Sequence, residues 1–88
     1  MIEVYSSQFC GYCVHAKMLL QTRGLEFEEI RVDKEPERRH EMIERGGQRT
    51  VPQIFIHGRP IGGFSELRQL DASGRLDELL GTDEETRQ

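Results

Sequence analysis

Cys10-Gly11-Tyr12-Cys13 joins two contrasting patterns. Ahead of it, Ile2-Glu3-Val4-Tyr5 alternates, with β-branched or aromatic residues at its key positions, and predicts a strand. Behind it, Val14 to Arg23 predicts a helix. Ala16 and Leu20 fall at i+3 and i+7 from Cys13, on one helical face, and Gly24 supplies a natural stop. Two thiols therefore stand three positions apart at a strand-to-helix junction. They are the only two cysteines among 88 residues. Secreted minidomains are usually stapled by about four or more. A bridge between neighbours this close would close only a trivial loop, so the pair is free for redox chemistry.

Length and charge narrow the setting. One domain is expected over residues 1–81, followed by a polar tail, 82–88, with no apolar residue and an expectation of disorder. The net charge is −4, and the tail supplies part of it through Asp83, Glu84 and Glu85 against Arg87. The remaining body is of mixed sign, without the basic face that nucleic acid requires. No basic amphipathic helix suits a membrane surface, and no apolar run approaches spanning length. The N-terminus enters strand pattern directly, so no secretory leader is expected. A soluble monomer in a reducing cytoplasm is expected.

The chain continues with a second strand over Leu25 to Val32, carrying Phe27, Ile30 and Val32. Asp33-Lys34-Glu35-Pro36 starts a helix, with an acidic cap and Pro36 near its first position. That helix is mostly charged up to Arg45, so it should dock lightly through Met42 and Ile43. Thr50-Val51-Pro52-Gln53-Ile54-Phe55-Ile56 is the strongest strand pattern, with Pro52 confined to its start. His57-Gly58-Arg59 turns it into a short return strand, Pro60-Ile61. After Gly62-Gly63-Phe64, Ser65 is expected to cap a helix bearing Leu67 and Leu70. Ser73-Gly74 ends that helix, and Leu76, Leu79 and Leu80 suggest one further turn. The order is β-α-β-α-β-β-α, an α/β fold with a four-stranded mixed sheet flanked by helices. The first two strands flank a helix and should be parallel.

This order, with Cys-x-x-Cys after the first strand, resembles the thioredoxin-like fold. Within it the chain resembles the glutaredoxins, small bacterial dithiol members above all, from Ile2 to Leu80. Cys10-Gly11-Tyr12-Cys13 resembles their Cys-Pro-Tyr-Cys, and Thr50-Val51-Pro52 their Thr-Val-Pro. Gly62-Gly63-Phe64-Ser65-Glu66-Leu67 resembles Gly-Gly-x-Asp-Asp-Leu, and Leu70-Asp71-Ala72-Ser73-Gly74 resembles their closing helix. A lone Cys-x-x-Cys is a weak signal; these stretches together are specific.

The resemblance implies a glutathione-dependent thiol–disulfide oxidoreductase that reduces protein disulfides and glutathione mixed disulfides. It also implies a cis Pro52 facing the dithiol. Cys10, just before the first helical turn, is the expected nucleophile, because free backbone N–H groups there favour a thiolate. Cys13, on the inner face, is the expected resolving thiol, and the two would form the redox-active disulfide. Glutathione is expected as co-substrate along Val51, whose backbone can pair with it like an added strand. Tyr12, Gln48, Arg49, Thr50, Pro52, Gly63, Phe64 and Ser65 complete the expected site, with Gln48, Arg49 or Arg38 meeting the glycyl carboxylate. Expected partners are glutathionylated or disulfide-containing proteins, ribonucleotide reductase among them.

Three departures qualify the resemblance. Gly11 stands where the family usually has proline, Ser7 where many members carry a basic residue, and Ser65 where Asp is frequent. The last is expected to leave recognition of the γ-glutamyl amino group either weaker or shifted to Glu66. The alternatives are a glutathione-ligated [2Fe-2S] carrier, dimeric when loaded, and a redoxin served by thioredoxin reductase. The monothiol carriers read Cys-Gly-Phe-Ser with an added Trp-Pro loop, and the redoxins have a Trp-containing closing segment. This chain has no Trp. Cys10, Cys13 and His15 offer three ligands to zinc, one fewer than a structural site takes.

Overall fold

The computed structural model describes residues 1–87, with side chains described through Gly81. Its elements are β1 (Ile2–Ser6), α1 (Gly11–Thr22), β2 (Glu28–Arg31), α2 (Pro36–Gly46), β3 (Gln53–Ile56), β4 (Arg59–Gly62), α3 (Phe64–Ala72) and α4 (Arg75–Arg87). The strands form one sheet in the order β2-β1-β3-β4. β1 runs parallel to β2 and antiparallel to β3, and β3 pairs antiparallel with β4. This is the mixed four-stranded sheet that the sequence predicts.

Alternation along β1 and β3 divides the core into two layers. Ile2, Val4, Ile54 and Ile56 face one side, where Ala16 and Leu20 of α1, Leu67 of α3 and Leu76 of α4 pack on them. Tyr5, Ile30, Val32 and Phe55 face the other, closed by Met42 of α2. Helix α2 is held more firmly than its charged surface suggests. Arg45 lies 4.2 Å over the Phe55 ring and donates to Glu3 at 2.8 Å and to the Tyr5 hydroxyl at 2.7 Å.

Four local readings change. β2 is shorter than Leu25–Val32, because Leu25 and Phe27 leave the ladder to pack against the edge of the first core layer. β3 starts at Gln53, after Pro52, which has no N–H to give a ladder. The N-cap of α3 is Gly63, not Ser65; Glu66 reaches back to accept from the Gly63 N–H at 2.7 Å, which places Ser65 within the first turn. The closing segment is two helices, broken at Gly74 (φ +80°), and the second, Arg75–Arg87, is longer than the one further turn expected. The side chains of residues 82–87, and Gln88 entirely, lie outside the described residues.

Candidate active site

β1 delivers the chain to Cys10, which is itself the N-cap of α1. Its backbone is extended, and its sulfur accepts the Cys13 backbone N–H at 3.2 Å. Sulfur thus takes the place that a Ser or Asp oxygen usually holds at a helix start. No acidic residue stands in the first turn of α1 to compete for that positive end. The Cys10 thiol is half-buried and lies 3.8 Å from the Val51 carbonyl oxygen, to which it donates.

Cys13, one turn further in, is only 1 % exposed. Burial is the main reason its thiol is pushed up to about 12. The neighbouring Cys10 sulfur pushes the same way, while the Ser7 backbone hydrogen bond and the Lys17 charge pull it back. At neutral pH Cys13 is therefore a protonated thiol. Both cysteines are free of disulfide. One sulfur is accessible at a helix start and the other is sealed beneath it, so incoming disulfides meet the first.

A cleft of about 200 Å³ opens beside Cys10, lined by Tyr12, Gln48, Thr50, Val51, Pro52, Gly63, Phe64, Ser65 and Glu66. The Val51–Pro52 peptide is cis. Gly63 also lines the cleft, where a Cβ would make only ordinary van der Waals contact, 3.4 Å from the Pro52 carbonyl oxygen. Tyr12 and Phe64 stack with ring centroids 6.2 Å apart, and His15 adds a third ring 5.6 Å from Phe64. Leu67, fully buried, fixes α3 behind this wall.

Most of the expected site residues meet here. Arg49 does not line the cleft, and its carbonyl instead accepts from Arg39 at 3.1 Å. Arg38 is engaged with Glu41 on α2 at 3.1 Å. Gln48 is the lining member of that group. Nothing in the sequence marks Gln53 as a support, yet its buried amide donates to the Gln48 carbonyl at 2.6 Å and to the Thr50 carbonyl at 3.1 Å. It thereby holds the loop that forms one rim of the cleft. Among the described residues, no group of three or more His, Cys, Asp or Glu side chains is placed to hold a metal ion. Nor is any helix among them long and apolar enough to cross a membrane.

The family model described as Glutaredoxin matches residues 2–61. Glutaredoxin 3 of Escherichia coli K12 is 48% identical over 79 residues, covering 90% of this chain and 95% of that protein. The chain belongs to the glutaredoxin family. A glutaredoxin of Pseudomonas aeruginosa is 43% identical over 79 residues, covering 90% of this chain and 94% of that one. Among solved glutaredoxins, that of Brucella melitensis superposes with a TM-score of 0.80 at 45% identity, covering 93% of this chain and 89% of its own. The buckwheat glutaredoxin–glutathione complex gives 0.83 at 32%, covering 92% and 76%. Membership makes the chain a thiol–disulfide oxidoreductase of thioredoxin-like fold.

Proposed function

We propose that this glutaredoxin is glutathione-dependent and reduces both glutathione mixed disulfides and protein disulfides. The observation that carries the reading is the position of the Cys10 sulfur, 3.8 Å from the Val51 carbonyl and beside the cleft. A tripeptide laid along Val51 brings its own sulfur to Cys10, and its backbone finds the Val51 amide and carbonyl as an added strand would. The first turn of α3, at Phe64 and Ser65, offers N–H groups to the γ-glutamyl carboxylate. Gln48 faces the glycyl end, and Tyr12 and Phe64 wall the groove. The buckwheat protein, solved with glutathione, lends this reading support.

The chemistry follows from the two sulfurs. Cys10 attacks the glutathione sulfur of a mixed disulfide, takes the glutathionyl group and releases the protein thiol. A second glutathione then attacks that group, forming oxidised glutathione and restoring Cys10. With a protein disulfide, Cys13 attacks Cys10 instead, closing the Cys10–Cys13 disulfide and freeing the substrate. The work is placed in a reducing cytoplasm, where both thiols stay free.

The deciding assay is reduction of a glutathione mixed disulfide by glutathione, glutathione reductase and NADPH, run beside the same assay with thioredoxin reductase. Turnover confined to the first is expected; turnover confined to the second makes the chain a redoxin. A [2Fe-2S] carrier would take one accessible thiol, Cys10, from each of two chains, with glutathione supplying the rest of the four-thiolate set. No step of the proposed reaction passes through a cluster.

A further inference from the structure

Behind the dithiol lies a charge cluster that the reaction so far leaves unused. Lys17 stands one helical turn beyond Cys13 on α1, at the i+4 position that shares its face. Its ammonium pairs with Glu29 at 2.7 Å. Glu29 also accepts from the Ser6 hydroxyl at 2.6 Å, and Ser6 is fully buried. Ser7, the next residue, holds its backbone against the Cys13 thiol. One chain of contacts thus runs from the sealed thiol through the end of β1 to Glu29 and Lys17, and back to α1.

The register explains the convergence. Val4 pairs with Glu29 and Ser6 with Arg31 across the parallel ladder, so all four face α1. The charged and titratable groups that act on Cys13 are Cys10 and Lys17 from α1 and Arg31 from β2, and Glu29 of β2 reaches it through its ion pair with Lys17. β1 contributes the Ser6 hydroxyl and the Ser7 backbone. Arg31 is already answered by Asp33 through two contacts, at 2.8 and 2.6 Å. Lys17 and Glu29 are then the pair whose balance of charge reaches the sealed sulfur.

We propose that Lys17 and Glu29 are a positioning pair for the resolving step: Lys17 supplies the positive charge that a buried Cys13 thiolate needs, and Glu29, held by Ser6, tethers and moderates it. This rests on the assignment of Cys13 as resolving thiol. In that step Cys13 gives its proton to solvent, and its thiolate attacks the Cys10 sulfur of the mixed disulfide. The Cys10–Cys13 bond forms, the bond from Cys10 to the substrate sulfur breaks, and the substrate leaves as a thiolate that takes up a proton. Electrons balance without an outside reductant. Both side chains are partly exposed, at 27% and 32%, so substitutions leave the core intact.

Stopped-flow reaction of the reduced full chain with dithiobis(nitrobenzoate) reads the step without glutathione. Attack by Cys10 releases one coloured thiolate; attack by Cys13 on the resulting mixed disulfide releases a second, at a rate independent of reagent concentration. Lys17→Met is expected to slow the second phase about three- to tenfold at neutral pH and move its pH profile upward, leaving the first phase unchanged. Lys17→Arg restores it. Glu29→Gln, which removes the moderating charge, is expected to speed it and move the profile downward. Slowing in both variants, or an unmoved profile in both, overturns the proposal by making the pair a structural prop. Absence of a second phase in the unsubstituted protein overturns the resolving role as well. Loss of glutathione preference alone leaves this measurement standing.

Discussion

Cys13 donates its backbone N–H to the sulfur of Cys10 while its own thiol lies sealed under α1. One residue therefore supports the nucleophile with its main chain and answers it with its side chain. The two duties separate by substitution. Cys13→Ser keeps the N–H and should retain glutathione mixed-disulfide turnover within about threefold, while losing at least about tenfold in protein-disulfide reduction. Cys10→Ser should lose both. Activity retained in the Cys10→Ser protein would sink the assignment.

Gln53 holds the cleft from below through the Gln48 and Thr50 carbonyls. Replacing it with Leu leaves two acceptors without their donor, at a cost of about 1–3 kcal/mol. The loop is expected to loosen and the KM for glutathione to rise several-fold, with reactivity of Cys10 toward a small alkylating agent unchanged. Steady-state kinetics beside an iodoacetamide rate tests this. An unchanged KM would show that the rim does not depend on Gln53.

Stability should fall in acid, and the sign follows from the carboxylates. Hydrogen bonds from Tyr5 and Arg38 hold Glu41 below the usual carboxylate range, and Arg31 does the same for Asp33. Burial pushes Glu29 up, but Lys17 and Ser6 outweigh it, so it too ends low. A carboxyl depressed on folding adds stability above its unfolded pKa, and that stability is lost as pH falls through the folded value. Urea midpoints are expected to be flat above about pH 5 and to drop below about pH 4. Glu41→Gln should flatten the drop; a midpoint that rises in acid contradicts the account.

Anaerobic incubation with iron, sulfide and glutathione separates the oxidoreductase from the carrier, because a glutathione-ligated cluster shared by two chains takes one accessible thiol from each, and Cys10 can give it. The oxidoreductase reading expects a colourless monomer; a dimer absorbing in the visible region would revive the carrier reading.

Much of this was legible in the sequence because it is local. The alternation of Ile2 and Val4, the helical face of Cys13, Ala16 and Leu20, and the glycine stops each depend on neighbours a few positions away. The cleft was legible only through resemblance, since nothing local brings Tyr12, Val51 and Gly63 together. The Ser65 side chain suits a cap, but the Gly63 backbone with Glu66 fills that role. Gln53 and the Lys17–Glu29 pair carry no local signal, for a different reason. Both are polar residues in ordinary positions, and their meaning comes from partners fixed by sheet register and loop closure.

The burial of Cys13 has a further effect, on how the folded protein presents itself to reagents. Toward any bulky electrophile the native chain counts as a monothiol, and it becomes a dithiol only when unfolded or when a partner is already joined to Cys10. Collisions are screened at a single sulfur, and the second acts only on what the first has accepted.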